Sequence, residues 1–261
     1  MVGSVLKIGI LGTVEAWSGD QEIDLGPRQR RHVLAAIAAD ALRPVNIDVI
    51  VRRVWGEHAP KRAQRSVHAH VTRIRRGFEQ AMVDAQLRHS SLGYILDIDP
   101  LAVDLYHYQH LAAQGCTGDA LRLWRGEPLS GLEGDWADQF RASWVRRRLE
   151  TVLDWAESEL AAGTAGRTTG LLADLIADHP LHEGLRNSLI RALNADGRSA
   201  EALAAYAQTR QHLATELGVE PSKQLQATYL SLLATGTPNH RTPELNLVHN
   251  HLTLNQPAPA S

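Results

Sequence analysis

The stretch that decides the fold is AQRSVHAHVTRIRRGFEQAM, residues 63–82. It carries apolar side chains at i, i+4, i+7 and i+11, the spacing of one helical face: Val67, Val71, Ile74 and Phe78. At about 100° per residue, the opposite face carries Arg65, Ala69, Thr72, Arg73 and Arg76. The pattern predicts an amphipathic helix whose outer side holds three guanidinium groups, a hydroxyl group and one small residue.

Positive charge is concentrated at the same helix. The formal net charge is only −2, yet residues 1–100 hold 14 Lys and Arg against 11 Asp and Glu. From Lys61 to Arg76 there are six basic residues and no acidic one. Such a stripe in a nearly neutral protein indicates a polyanionic partner. The alternative is a solvated helix face, although such faces usually mix both signs.

The flanking sequence predicts a winged helix. Alternating apolar residues indicate strands at 6–10 and 23–25, joined by a turn at Gly19. Helices follow at 28–40 and 47–55, the second with Asn46 as its N-cap. Residues 87–99 read as two short strands around a Ser/Gly turn. Strand, three helices and hairpin are the elements of a winged helix-turn-helix in this order.

The basic helix has the chemistry of a DNA-reading element. Arginine can bond guanine in a bidentate manner or clamp a phosphate, and alanine allows close approach to a base edge. We expect the base contacts to come from Arg65, Thr72, Arg73 and Arg76. We expect the phosphate contacts to come from Lys61, Arg62, Ser66, His68 and Arg75. Near the hairpin, Arg88 and His89 either reach the minor groove or phosphates, or simply form an exposed turn.

The second half of the chain predicts helices only. Candidate helices lie at 119–125, 135–160, 169–178, 181–194, 199–217 and 222–233. Leu189, Leu193, Ala202 and Tyr206 are placed to face each other across a tight turn, as in a tetratricopeptide-like pair. We therefore expect a mainly α fold with small β sheets. A winged helix at 1–100 precedes an all-α, tetratricopeptide-like domain at 101–235 and a disordered tail at 236–261.

Enzyme and cofactor signatures are absent from the sequence. It contains no phosphate-binding glycine loop, no dinucleotide fingerprint and no His-Glu-x-x-His motif. Cys116 is the only cysteine, and His68 and His70 diverge on a helix, so we expect no metal site and no cofactor. No apolar run is long enough to span a membrane. These features favour a cytoplasmic, nucleoid-associated protein that is not an enzyme.

Four segments of the first half resemble an OmpR/PhoB-type winged helix. They are Gly26-Pro-Arg-Gln-Arg, Val54-Trp-Gly, Ser66-Val-His-Ala-His-Val-Thr-Arg-Ile-Arg-Arg and Gly93-Tyr-Ile-Leu. The version they most resemble is that of the Streptomyces antibiotic regulatory protein family, although Leu92 stands where a second glycine is common. Residues 175–186, 195–206 and 217–222 are similar to the family's bacterial transcriptional activation domain.

The resemblance implies a function. Members activate transcription by binding direct repeats of double-stranded DNA near the promoter −35 region, typically upstream of antibiotic biosynthetic genes. The resemblance places Glu57, His58 and Lys61 near RNA polymerase holoenzyme and its sigma factor, and it implies a homodimer on DNA. We expect no attached receiver domain within this length, so that protein level, a ligand or a partner controls activity.

Two other classes of function stay open at this point. The same winged helix could serve a repressor or a nucleoid-type binder. The chain could instead be a helical scaffold whose winged helix binds another protein. The unbroken face of Arg65, Arg73 and Arg76 argues against the scaffold, because protein interfaces usually deplete charge at their centre.

Overall fold

The computed structural model describes residues 5–236, with side chains as far as residue 234. Within that range the chain forms five β-strands and ten α-helices. All five strands lie before residue 100, and the segments beyond it are helical or irregular. The chain is therefore mainly helical with small antiparallel sheets, which confirms the predicted fold class.

A three-stranded antiparallel sheet opens the described chain. β1 (Leu6–Gly9) pairs with β2 (Glu15–Ser18), which pairs with β3 (Gln21–Glu22) across the turn at Gly19. The predicted strand at 23–25 is wrong, because Ile23 and Leu25 are buried but lie outside the strands. A Cβ on Gly77 would lie 3.6 Å from Ile23 Cγ2. The Ile23 N–H still donates a hydrogen bond of 2.8 Å to the Ala16 carbonyl of β2, so regular pairing ends at this residue and the burial of Leu25 continues beyond it.

Three helices follow the sheet: α1 (Arg28–Ala38), α2 (Ile47–Trp55) and α3 (Ala63–Gln80). The side chain of Asn46 accepts a hydrogen bond of 2.8 Å from the Asp48 N–H, so the predicted N-cap is confirmed. Helix α2 ends at Gly56, whose φ of 58° suits glycine. Helix α3 ends two residues earlier than predicted, because the backbone turns to a positive φ of 51° at Met82.

The predicted hairpin is present as β4 (Gln86–Ser90) and β5 (Gly93–Asp97). Val45 and Tyr94 exchange backbone hydrogen bonds of 2.8 and 2.9 Å, which fix the hairpin to the segment before α2. Gly93 has a φ of 136°, and a Cβ there would lie 2.1 Å from the Val45 carbonyl oxygen. Position 93 therefore requires glycine. Leu92 is exposed and does not have a positive φ.

Seven helices form the rest of the described chain. They are α4 (Asp104–Ala113), α5 (Thr117–Arg122), α6 (Asp135–Ala161), α7 (Thr169–Asp178), α8 (Glu183–Ala195), α9 (Ser199–Leu217) and α10 (Lys223–Gly236). Helix α4 has no counterpart in the sequence prediction, and α5 begins and ends earlier than the predicted 119–125. The other five lie where predicted, with small shifts at some of their ends.

Helices α8 and α9 form the predicted antiparallel pair. Leu193 belongs to the same buried cluster as Ala202 and Tyr206, with Leu189 packed against it. The cluster continues into α10 through Leu225 and Leu232. The ring of Tyr206 stacks on Tyr229 of α10 at 4.2 Å between centroids. The packing of one helix on the next is that of a short helical array.

The winged helix and the first part of the helical region share one hydrophobic core. That core contains Ile8 and Leu34 together with Val103, Leu129 and Trp144. The backbone N–H groups of Arg125 and Leu129 donate to the carbonyls of Leu11 and Ile10, at 2.9 and 3.1 Å. The predicted boundary between two domains near residue 100 stays a prediction, because one hydrophobic core extends across that position.

The predicted disordered tail is residues 236–261. Apart from Gly236, which ends α10, it lies outside the described residues.

Candidate nucleic-acid interface

Helix α3 has one buried and one exposed face, as its sequence predicts. The four inner apolar residues are at most 3% exposed: Val67, Val71, Ile74 and Phe78. The outer face is exposed and consists of Arg65, Ala69, Thr72, Arg73 and Arg76. None of these three arginines forms an ion pair with another described residue. The outer face therefore presents three guanidinium groups that have no intramolecular counter-ion among residues 5–236.

Helix α2 supports the start of α3. The side-chain amide of Gln64 donates a hydrogen bond of 2.7 Å to Asp48, which is in the first turn of α2. Lys61, Arg62 and Ser66 surround this end of α3, and both cations are exposed. The first turn of the basic helix is thus held in place while its cations stay free to meet an anion.

The two hydroxyl groups on α3 already use their protons. Thr72 Oγ1 donates to the His68 carbonyl at 2.9 Å, and Ser66 Oγ donates to the Arg62 carbonyl at 3.4 Å. Each oxygen keeps lone pairs for an external donor.

His68 and His89 meet at the junction of α3 with the hairpin. The Nδ1 atom of His68 hydrogen bonds to the hydroxyl of Tyr94, which is only 3% exposed. The ring of His89 packs edge-on against Tyr94 at 5.0 Å and against His68 at 6.3 Å. Burial raises the pKa of the Tyr94 hydroxyl, so it stays protonated at neutral pH. This cluster connects α3 to both strands of the hairpin.

Arg75 and Arg88 also have partners inside the protein. Arg75 Nε donates to the Leu87 carbonyl at 2.6 Å, and its guanidinium lies 5.9 Å from the centre of the Tyr94 ring. Arg88 pairs with half-buried Asp97 at 2.8 Å. Arg88 and His89 are exposed, as the alternative expected, but they lie in β4 and not in the turn, because the hairpin tip is at 91–92.

The loop between α2 and α3 is exposed. Glu57 and His58 lie in a short 3-10 turn, and Lys61 follows it. Gly56 and Glu57 border a groove of about 370 Å³, whose other wall is formed by Asp135, Trp136 and Gln139 at the start of α6. The helical region therefore contributes to the surface beside this loop.

Nothing in residues 5–236 points to a metal centre. The described residues contain no group of three or more His, Cys, Asp or Glu side chains that could hold an ion. Cys116 is exposed at the start of α5.

Comparison with known proteins identifies the family. The model for the bacterial transcriptional activator domain matches residues 104–233. Regulatory protein DnrI of Streptomyces peucetius is 30% identical over 253 residues, which cover 85% of this chain and 89% of DnrI. This chain belongs to the Streptomyces antibiotic regulatory protein family. The resemblance noted in the sequence is thereby confirmed across both halves of the chain.

Two further similar proteins are longer than this chain. Regulatory protein AfsR of Streptomyces coelicolor is 35% identical over 239 residues, which cover 85% of this chain but only 23% of AfsR. The chain thus spans about a quarter of the length of AfsR. The solved structure of Mycobacterium tuberculosis EmbR, in complex with a low affinity phosphopeptide, superposes with a TM-score of 0.77 at 28% identity. That match covers 89% of this chain and 66% of the EmbR chain.

The printed names of the relatives describe their general role. AfsR and DnrI are regulatory proteins, and RedD of Streptomyces coelicolor is a transcriptional regulator. Among the described helices, none has the length and apolar character required to cross a membrane.

Proposed function

We propose that this chain is a sequence-specific DNA-binding transcriptional activator whose helix α3 enters the major groove. The observation that carries this proposal is the exposed face of Arg65, Arg73 and Arg76, which have no counter-ion among the described residues. Unpaired guanidinium groups on a rigid helix are suited to guanine O6 and N7 and to phosphate. A helix of this kind fits the width of the B-DNA major groove.

Thr72 and Ala69 would complete the base-reading surface. Because Thr72 donates its proton to the His68 carbonyl, its free lone pairs suit the amino group of cytosine or adenine. Exposed Ala69 lets the helix backbone approach a base edge or a thymine methyl group. Lys61, Arg62 and Ser66 would position the start of α3 on the phosphates.

The junction residues divide into two groups in this proposal. His68 and Arg75 act mainly by holding the wing, through hydrogen bonds to Tyr94 and Leu87. Any phosphate contact would therefore use the nitrogen atoms that these bonds leave free, His68 Nε2 and the Arg75 Nη atoms. Arg88 and His89 project from β4 and approach the flanking phosphates or minor groove. Arg88 would have to exchange Asp97 for a phosphate.

The finer parts of the function rest on family membership. We infer that two protomers bind direct repeats near the −35 region of promoters for secondary-metabolite genes. The exposed loop with Glu57, His58 and Lys61 would contact RNA polymerase holoenzyme, including its sigma factor. Direct repeats require protomers arranged head to tail, whereas an inverted repeat would require a two-fold dimer.

The test is selection of bound fragments from a genomic library, followed by footprinting at two salt concentrations. Protected direct repeats about one helical turn apart, next to a promoter, would support the proposal. Arg73→Ala should then cost about 1–3 kcal/mol at the cognate site and relax specificity at one position. Arg146→Ala, at an exposed position of α6, is the matched control.

Reconstituted transcription separates an activator from a repressor. Transcript yield from the selected promoter should rise when the protein is added, and Lys61→Glu should reduce that rise beyond its effect on DNA binding. A fall in yield on a fully occupied site would reject activation and favour repression. Binding without a common sequence would reject base reading by α3.

A further inference from the structure

A cationic groove lies beside the C-terminal half of α3. It has a volume of about 590 Å³ and is bordered by Arg73 and Arg76 of α3 and by Arg30 of α1. The turn formed by β2 and β3 closes its other side. Arg73 and Arg76 thus belong both to the outer face of α3 and to this groove. Arg30 belongs to α1, so the helical pattern of α3 does not predict it as a DNA contact.

Arg30 lies against Gly26 and has no counter-ion among the residues that the structure describes. Its Nε atom is buried and has no hydrogen-bond partner, and its guanidinium lies over Gly26, where a Cβ would come within 2.6 Å of Nη1. No described carboxylate lies within ion-pair distance of Arg30. Removing part of an unpaired guanidinium group from water costs free energy, and a bound anion would offset that cost.

His70 is buried close to both Arg30 and Arg73. It is 9% exposed, and its buried Nδ1 atom has no hydrogen-bond partner. Burial, followed by the charges of Arg30 and Arg73, lowers the pKa of His70. The two guanidinium groups therefore act on the same buried ring.

Two carboxylates also border the groove, those of Glu22 and Asp24. Asp24 already accepts a hydrogen bond of 2.7 Å from the Gly26 N–H. Neither carboxylate forms an ion pair with Arg30, Arg73 or Arg76. Three cations against two carboxylates, one of them engaged, leave the groove with net positive charge.

We propose that this groove binds a phosphate of the DNA backbone and that Arg30 is the residue of α1 that contacts it. The inference rests on the proposed DNA-binding function and deepens it. Lys61 and Arg62 lie at the start of α3, and the α3 residues that border this groove, from Arg73 to Gln80, lie about 17–27 Å farther along the helix axis. Cations at both ends would grip the two strands that border the major groove, and α1 would become part of the interface.

The first test compares Arg30→Gln with Arg28→Gln. Arg28 is on the same helix, but it is exposed and already paired with Glu133 at 2.5 Å. For Arg30→Gln, the slope of log K against log salt should fall by about one. Affinity for cognate and unrelated DNA should weaken by the same factor, roughly fivefold to tenfold at 0.1 M salt. Arg28→Gln should leave both quantities unchanged, and Arg30→Lys should keep most of the salt slope.

A neutral-linkage scan gives a readout that does not depend on variant stability. Methylphosphonates are placed one at a time along the cognate site, and binding of the unaltered protein is measured. One linkage beyond those near Lys61 and Arg62 should weaken binding by the unaltered protein, and by a smaller factor binding by Arg30→Gln, which keeps Arg73 and Arg76 in the groove.

The outcomes distinguish this inference from the proposed function. If the Arg30→Gln salt slope equals that of the unaltered protein while Arg73→Gln lowers it, Arg30 does not contact a phosphate and this inference is overturned. Base reading by α3 would still stand in that case. If the unaltered protein selects no common sequence, the proposed function itself fails.

Discussion

Asp104, the first residue of α4, accepts a hydrogen bond of 2.9 Å from the backbone N–H of Ile10, just beyond β1. The same carboxylate accepts from the Leu11 N–H at 2.9 Å and from Arg125 at 3.2 Å. Arg125 also lies 4.9 Å from the centre of the Trp17 ring. Burial raises the pKa of Asp104, and these donors oppose that effect. One side chain therefore joins the winged helix to the helical region.

Replacing Asp104 should destabilise the whole chain. Asp104→Ala leaves the N–H groups of Ile10 and Leu11 without their acceptor, which should lower the free energy of unfolding by about 2–4 kcal/mol. Chemical denaturation followed by circular dichroism measures this change. Asp119→Ala removes an exposed carboxylate that pairs with Arg122, and it should cost less than about 0.5 kcal/mol. Equal effects of the two variants would contradict the role assigned to Asp104.

His32 should make stability depend on pH in a defined window. It is 4% exposed and stacks on Trp136 of α6 at 5.6 Å. Burial, and then the charges of Arg28 and Arg141, lower the pKa of His32 from 6.5 to about 4. The unfolded chain therefore binds a proton that the folded chain does not. Stability is complete above pH 6.5 and is lost as pH falls toward 4, by about 3 kcal/mol in all.

The measurement compares the unaltered protein with His32→Phe, which keeps an aromatic ring against Trp136. Between pH 6.5 and 4.5, the free energy of unfolding of the unaltered protein should fall more steeply than that of His32→Phe. Taking the difference removes the contribution of carboxylates, which titrate in both proteins. His110→Gln, at an exposed position, should keep the original slope. Parallel curves for the unaltered protein and His32→Phe would contradict this assignment.

Tyr94→Phe tests whether His68 positions the wing. The change removes the hydroxyl that hydrogen bonds to His68 and leaves the buried ring in place. We expect a stability loss of about 1 kcal/mol. DNA protection beside the wing should weaken, while protection under α3 persists. In a double-mutant cycle, Tyr94→Phe and His68→Gln should be non-additive for DNA affinity. Fully additive effects would show that His68 contacts DNA independently of Tyr94.

Local periodicity is enough to predict α3 and its outer face. Val67, Val71, Ile74 and Phe78 are all buried, so the opposite arginines are exposed as the helical wheel requires. The partners of His68 and Arg75 lie in the hairpin, at Tyr94 and Leu87, and cannot be read from helical spacing. Arg30 is missed for the same reason, since its neighbours on α3 are more than 40 residues away along the chain.

Helix α4 escapes prediction because it is packed on more than one side. The hydroxyl of Tyr106 donates to the Ala39 carbonyl at 2.9 Å, whereas that of Tyr108 donates to Thr151 on α6 at 2.6 Å. A helix held between two units has no single apolar stripe. Strand β2 is not predicted for a similar reason, because its Trp17 is covered by Arg125, which is distant in sequence. Both failures mark the contact between the winged helix and the helical region.

That contact predicts a single unfolding transition for the chain. The winged helix contains Trp17 and Trp55, and the helical region contains Trp124, Trp136, Trp144 and Trp155. Because Ile8, Leu34, Leu129 and Trp144 belong to one core, tryptophan fluorescence and far-ultraviolet circular dichroism should give the same midpoint. Single-tryptophan variants that keep Trp17 or Trp144 extend the test to each region separately. Different midpoints for the two would show that the regions unfold independently.

A fragment of residues 1–100 should be less stable than the full chain. It lacks the Arg125 and Leu129 N–H groups that donate to the carbonyls of Leu11 and Ile10, and it exposes the core surface covered by Val103 and Trp144. Extending the fragment to residue 161 restores these contacts together with α4, α5 and α6. The longer fragment should therefore regain most of the midpoint of the full chain. Equal stability of both fragments would mean that the winged helix does not depend on the shared core.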